Sequence, residues 1–170
     1  AEKMLRRHPR YITLLAPFIC YIFTFMSGTG HVVYSLLPVI SEVARDSGVR
    51  PERPLSISVI ASQQAITASP ISAAMAAMIG LMAPFGISIS TIMMICVPAT
   101  LIGVAAGAIA TFNKGKELKD DPEYQRRLAE GLLKPIGKAE RSTEIAPHAK
   151  LSVLLFLTGA VVIVLLGLVP

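Results

Sequence analysis

Residues 61–75 read Ala-Ser-Gln-Gln-Ala-Ile-Thr-Ala-Ser-Pro-Ile-Ser-Ala-Ala-Met, inside sixty consecutive residues (54–113) that contain no Asp, Glu, Lys or Arg. Ser62, Gln63, Gln64, Thr67, Ser69 and Ser72 therefore fall near the middle of a bilayer crossing. In hydrocarbon each such group costs on the order of 2 kcal/mol or more unless it finds a partner, so something polar must face them. Pro70 removes one helix hydrogen bond, clashes with the carbonyl of Ile66 and disfavours helical geometry at Ser69. The stretch predicts a helix broken in mid-membrane, with half-helices over about 55–66 and 71–83. The N-terminus of the second half carries free N–H groups and a partial positive charge, a seat for a carboxylate. A proline kink satisfied by a neighbouring helix is the competing reading.

Composition agrees with a membrane setting. Hydrophobic residues make up 53% of the 170 and charged ones 16%, and mean hydropathy is +0.62. The apolar residues come in long blocks, which defines an all-α integral membrane protein. The net charge of +5 sits in segments flanking those blocks, without the aromatic interleaving of a nucleic-acid platform, so the basic residues read as topology signals and no nucleic-acid partner is expected. Cys20 and Cys96 lie in apolar segments and read as packed thiols. The opening Ala-Glu-Lys and the closing Pro170 suggest a piece of a longer protein.

Working outward, residues 1–10 form a basic flank on the cytoplasmic side. Residues 11–26 are sixteen apolar or mildly polar positions. At ~1.5 Å per residue they make about 24 Å of helix, short of the ~30 Å hydrocarbon core. Ser27-Gly28-Thr29-Gly30-His31 follows, and apolar character then resumes to Ile40. Two short arms joined by a Gly-rich polar tip suggest a re-entrant helical hairpin over 11–45; one spanning helix with an unwound centre is the alternative. Residues 46–54 then form a short cytoplasmic connection, 55–84 the broken transmembrane helix, 87–112 a second transmembrane helix of packing character and 151–170 a third. Between the last two, residues 113–150 form a cytoplasmic loop with nine basic and seven acidic residues. Asp121-Pro122-Glu123 starts a short amphipathic helix there, with Tyr124, Leu128 and Leu132 on one face.

The chain shows no paired intramembrane carboxylates, no Ser/His/Asp grouping, no metal-ligand cluster and no phosphate-binding loop, so catalytic and metal-binding residues are absent and an enzyme is not expected. His31 is the lone histidine in a membrane block. It fits either a substrate contact or a cap on the second arm. The candidate substrate-binding set is Ser27, Gly28, Thr29, Gly30 and His31 at the tip, with Gln63, Thr67, Ser69, Pro70 and Ser72 at the break.

Three separated motifs, residues 25–40 (Phe-Met-Ser-Gly-Thr-Gly-His-Val-Val-Tyr-Ser-Leu-Leu-Pro-Val-Ile), 50–55 (Arg-Pro-Glu-Arg-Pro-Leu) and 65–73 (Ala-Ile-Thr-Ala-Ser-Pro-Ile-Ser-Ala), occur in order. Together they resemble the anaerobic C4-dicarboxylate transporters of the Dcu family, nearest the fumarate–succinate antiporter branch. The resemblance implies exchange of fumarate, malate or aspartate for succinate across a bacterial inner membrane during anaerobic growth, with a sensor kinase and further copies of the chain as possible partners. More distantly, Met26-Ser27-Gly28-Thr29 resembles the hairpin-tip Ser-Asn-Thr motif of divalent-anion/sodium symporters, with Gly28 in place of Asn. That likeness implies an inverted-repeat fold of which this chain shows one hairpin and one broken helix. Two other readings stand beside exchange: a sodium-coupled symporter, for which Na⁺ lacks support in these residues, and a dicarboxylate-binding sensor subunit.

Overall fold

In the computed structural model the described residues are 11–133, with helical positions at 151, 154, 155, 158, 159 and 162. The basic flank 1–10, residues 134–150 and most of the expected helix 151–170 lie outside them. All regular structure among the described residues is helical: α1 (Ile12–Ser27), α2 (Val33–Asp46), α3 (Glu52–Ala68), α4 (Ala73–Met82), α5 (Ile89–Thr111) and α6 (Pro122–Ala129), with 3-10 turns at Gly30–Val32, Ala83–Phe85 and Leu118–Asp120.

The helix ends follow local chemistry. At the C-terminus of α1, Gly28 takes φ 69° and returns its N–H to Thr24 O at 2.8 Å, a left-handed stop that suits glycine. At the end of α2, Gly48 has φ 74° while Val49 N reaches back to Ala44 O at 2.9 Å. Helix α3 begins at Glu52, three residues before the expected Leu55. Pro51 stands at the cap and Pro54 in the first turn, where no intrahelical donor is needed.

Arms α1 and α2 share one core, in which Ile12, Ala16, Ile19 and Cys20 meet Val33, Ile40, Val43 and Ala44. They are therefore a helical hairpin with its tip at 28–32, not one interrupted rod. Helix α3 is central, packing on α1, α2 and α5. Ala61, Ala65 and Ala68 form a small-residue stripe that meets Tyr21 and Val104. Tyr21 stacks on Phe25 with ring centroids 6.2 Å apart and shares a 2.8 Å hydrogen bond with Thr100 Oγ1, so the hairpin also touches α5. Of the small residues in α5, Gly107 is the one whose absent side chain matters: a Cβ there would stand 2.6 Å from Ile57 Cδ1. Ala108 is also buried. Gly103 has open space, and Ala106 and Ala110 face outward.

Glu52–Phe85 and Ile89–Thr111 are long and apolar enough to cross a membrane; Ile12–Ser27 is apolar but shorter. Only 28% and 22% of the most apolar 18-residue stretch of each is buried within the chain, whereas a soluble core helix would be mostly covered. Leu81, Phe85, Met94, Ile95, Ile102 and Ile109 stand exposed on them.

The arginines of the 46–54 connection do more than mark a side of the membrane. Arg53, 7% exposed, donates to Lys114 O, to Gly115 O at 2.8 Å and to Glu117 Oε1 at 2.7 Å. Arg50 pairs with Glu52 at 2.6 Å and with Asp121 Oδ2 at 2.7 Å. The other oxygen of Asp121 caps α6, accepting from Glu123 N at 3.0 Å and Tyr124 N at 3.3 Å. The loop after α5 is thus docked on the start of α3, and both charged segments lie at one end of the helices. On α6, hydrogen bonds from Arg126 and Arg127 hold the Glu123 carboxyl down to about 2.

Candidate functional site

The tip of the hairpin and the break between α3 and α4 are in direct contact. Ser69, in extended geometry (φ −73°, ψ 126°) as a residue before proline prefers, donates its hydroxyl to Phe25 O at 2.6 Å. Ser62 Oγ donates to Gly30 O at 3.5 Å and shares a 2.9 Å hydrogen bond with Thr24 Oγ1; both side chains are fully buried. The Cα of Gly28 faces Ile71, where a Cβ would come within 2.8 Å of the carbonyl oxygen. That of Gly30 faces Gln63 and Ile66, where a Cβ would lie 3.0 Å from Nε2 and 3.2 Å from Cδ1. Glycine is needed at position 28 for the tip to seat, whereas a side chain at position 30 would have to push aside the ends of Gln63 and Ile66. Along α3 the contact at Gln63 lies eleven residues past Glu52, about 16 Å of helix at ~1.5 Å per residue.

Between tip and break lies a cleft of about 290 Å³, lined by Gly28, Thr29, Gly30, His31, Tyr34, Gln63, Ile66, Ala73 and Ala74. Of the ten residues expected from sequence, Gly28, Thr29, Gly30, His31 and Gln63 are on its wall. The other five are close by but do not line it. Ser27 turns inward, its hydroxyl 3.0 Å from Thr29 O and 3.2 Å from Thr24 O. Ser69 and Ser72 are buried and shape the break: Ser72 Oγ donates to Ser69 O at 3.1 Å and caps α4 by accepting from Met75 N at 3.1 Å. Because Ser72 is extended (φ −79°, ψ 150°), α4 starts at Ala73, two residues later than the expected Ile71. Pro70 enforces the break, and Thr67, one turn after Gln63 on the exposed face of α3, does not line the cleft.

Tyr34, Ile66, Ala73 and Ala74 complete the wall, and none was singled out from sequence. Tyr34 and Ile66 were legible as the residues three after His31 and Gln63, on the same helical faces. Ala73 and Ala74 bring only methyl groups and backbone. Their amides belong to the first turn of α4, ahead of its first intrahelical bond from Ala76 N to Ser72 O at 3.0 Å, and the backbone N–H that Ser72 Oγ accepts from is that of Met75. Two residues at the positive N-terminal end of a helix thus border the cleft together with Gln63 and Thr29. No Asp, Glu, Lys or Arg lines it. Among the described residues no group of His, Cys, Asp and Glu could hold a metal ion.

A helix of membrane-spanning length, broken at polar residues and packed at the break on a hairpin tip around a polar cleft, is the construction solute transporters use. The family model described as "Anaerobic c4-dicarboxylate membrane transporter" matches residues 1–170. The chain is 46% identical over 164 residues to the C4-dicarboxylate transporter DcuA of Wolinella succinogenes, an alignment covering 96% of this chain and 37% of that protein. It is 46% identical over 169 residues to DcuA of Escherichia coli K12, covering 99% and 39%. To the anaerobic C4-dicarboxylate transporter DcuB of Escherichia coli O6:H1 it is 39% identical over 134 residues, covering 76% and 30%. The chain belongs to the anaerobic C4-dicarboxylate membrane transporter family. Its relatives are named as transporters, a non-enzymatic function, and it spans under two fifths of the length of the two DcuA proteins. No solved structure matches it.

Proposed function

We propose that this chain forms one half of the substrate site of a C4-dicarboxylate transporter, which exchanges fumarate, malate or aspartate for succinate by alternating access in a bacterial inner membrane. The observation that carries the reading is the meeting of tip and break around a cleft rich in neutral donors. One carboxylate of a diacid sits at the N-terminus of α4, on the amides of Ala73 and Ala74. Gln63, Thr29 and His31 serve the rest of the molecule, and Ile66 packs on its carbon chain. The cleft volume of about 290 Å³ suits a small metabolite rather than a drug-sized ligand. Neutral donors hold an anion less tightly than a buried arginine, which suits a carrier that must let its cargo go.

In this reading the hairpin is re-entrant: its tip meets α3 about 16 Å from the charged end, roughly half of a ~30 Å core. The ion pairs of Arg50 and Arg53 with Asp121 and Glu117 support placing 46–54 and 113–133 together on the cytoplasmic side. Ser27, Ser69, Pro70 and Ser72 then position the site without touching substrate. The remainder of an inverted-repeat fold supplies the facing half, and a sensor kinase and further copies of the chain are its proposed partners.

The test is reconstitution of the full-length transporter, with labelled succinate efflux driven by external fumarate. Efflux at the rate of empty liposomes sinks the proposal, and binding without flux assigns the site to a sensor. Uptake that needs a sodium gradient but no internal diacid favours a symporter.

A further inference from the structure

Four of the nine residues on the cleft wall have little or no side chain. Gly28 and Gly30 contribute backbone, and Ala73 and Ala74 contribute methyl groups. Its width is therefore set by the other five, and on the hairpin side the largest of these are the rings of His31 and Tyr34. Tyr34 lines the cleft, is 62% exposed, and lies with its ring centroid 6.0 Å from that of His31 at a 38° tilt, within the range of aromatic pairs. The 3-10 turn that carries His31 and the first turn of α2 that carries Tyr34 are fixed locally: Thr29 Oγ1 accepts from His31 N at 3.4 Å, and Ser35 Oγ donates to Val32 O at 2.8 Å. The hydroxyl of Tyr34 has no hydrogen-bond partner among the described residues, so the ring rather than a bond of its OH gives it its place.

We propose that the Tyr34 ring, held against His31, is the length filter of the cleft: it stops diacids longer than four carbons from reaching the amides of Ala73 and Ala74 while the other carboxylate is still held. This rests on the cleft being the dicarboxylate site. One methylene in a fitted pocket changes discrimination by roughly 10-fold to 200-fold, so the filter predicts a clear succinate-over-glutarate preference.

The test uses the full-length transporter in proteoliposomes and measures competition of succinate and glutarate against labelled fumarate. Tyr34→Ala should lower the succinate/glutarate ratio roughly tenfold by improving glutarate. Tyr34→Phe should keep the wild-type ratio, and Tyr34→Trp should raise it, so the claim survives failure of the alanine variant to insert. A ratio unmoved by both Ala and Trp, or moved as far by Phe as by Ala, overturns the filter. In parallel, Ala74→Cys is alkylated with and without succinate on a background lacking other accessible cysteines. Slowed alkylation with an unmoved ratio removes Tyr34 alone, whereas alkylation indifferent to succinate removes the cleft as the site and the filter with it.

Discussion

Gly28 and Ile71 approach so closely that a Cβ on the glycine would stand 2.8 Å from the Ile71 carbonyl oxygen and 2.9 Å from Cγ1. Backbone is against backbone, so no flexible side-chain end can yield. Gly28 also has φ 69°, which costs an L-residue roughly 1–2 kcal/mol. Gly48 provides the control, since it has φ 74° and nothing within 4 Å of a Cβ. Gly28→Ala is expected to abolish exchange, and Gly48→Ala to cost a similar backbone strain while retaining it. Transport by Gly28→Ala at the Gly48→Ala level would mean that the tip need not seat on the break.

The break depends on hydroxyls that turn away from the cleft. Removing the Ser69 hydroxyl leaves Phe25 O without its 2.6 Å donor in a buried place, which costs about 1–3 kcal/mol. Ser69→Ala should therefore lower the unfolding midpoint in detergent and reduce the exchange rate with little change in substrate KM. Thr67→Val, on an exposed position two residues earlier, should leave both unchanged. The opposite pattern, with Thr67 shifting KM and Ser69 silent, would return Thr67 to the binding wall.

Much of this was legible in the sequence, because Pro70, the uncharged run and the Gly-rich tip are local signals with local consequences. The tip and break meet as expected, while five of the ten candidate residues do not line the cleft between them. Polar type alone does not say which way a side chain turns: Ser27, Ser69 and Ser72 are spent on neighbouring carbonyls, which only the geometry of the turns reveals. Ala73 and Ala74 carry no polar side chain to attract notice, and what they offer is backbone. Arg50 and Arg53 read as topology signals in the sequence because the acceptors that tie them to the loop after α5 lie more than sixty residues away.

Gln63 is the polar side chain that α3 contributes to the cleft, and its Nε2 would lie 3.0 Å from a Cβ on Gly30. Gln63→Leu keeps the size and removes the donor. Loss of one hydrogen bond to a charged carboxylate is worth about 1.5–3 kcal/mol, so KM for succinate should rise by roughly 10-fold to 100-fold. Gln63→Asn, which shortens the reach, should fall between. A leucine variant with wild-type KM would place the diacid elsewhere.

Arg53 supports the opposite end of the same helix. Its guanidinium, with the side chain 6% exposed, satisfies two carbonyls and a carboxylate of the loop after α5, while Gly115, at φ 77°, turns the chain past Arg50. Arg53→Ala leaves Lys114 O and Gly115 O without these donors and Glu117 without its cation, so the loop should come away from α3. Limited trypsinolysis of inside-out vesicles should then cut at Lys114, Lys116 or Lys119 at least several times faster than in the wild type. Arg53→Lys should not restore protection, because one ammonium cannot reproduce the planar fork that reaches three acceptors at once. Glu117→Gln, which removes the charge pair but keeps an oxygen acceptor, should loosen the loop only slightly. Equal cleavage in all four proteins would show that the loop is held by something other than Arg53.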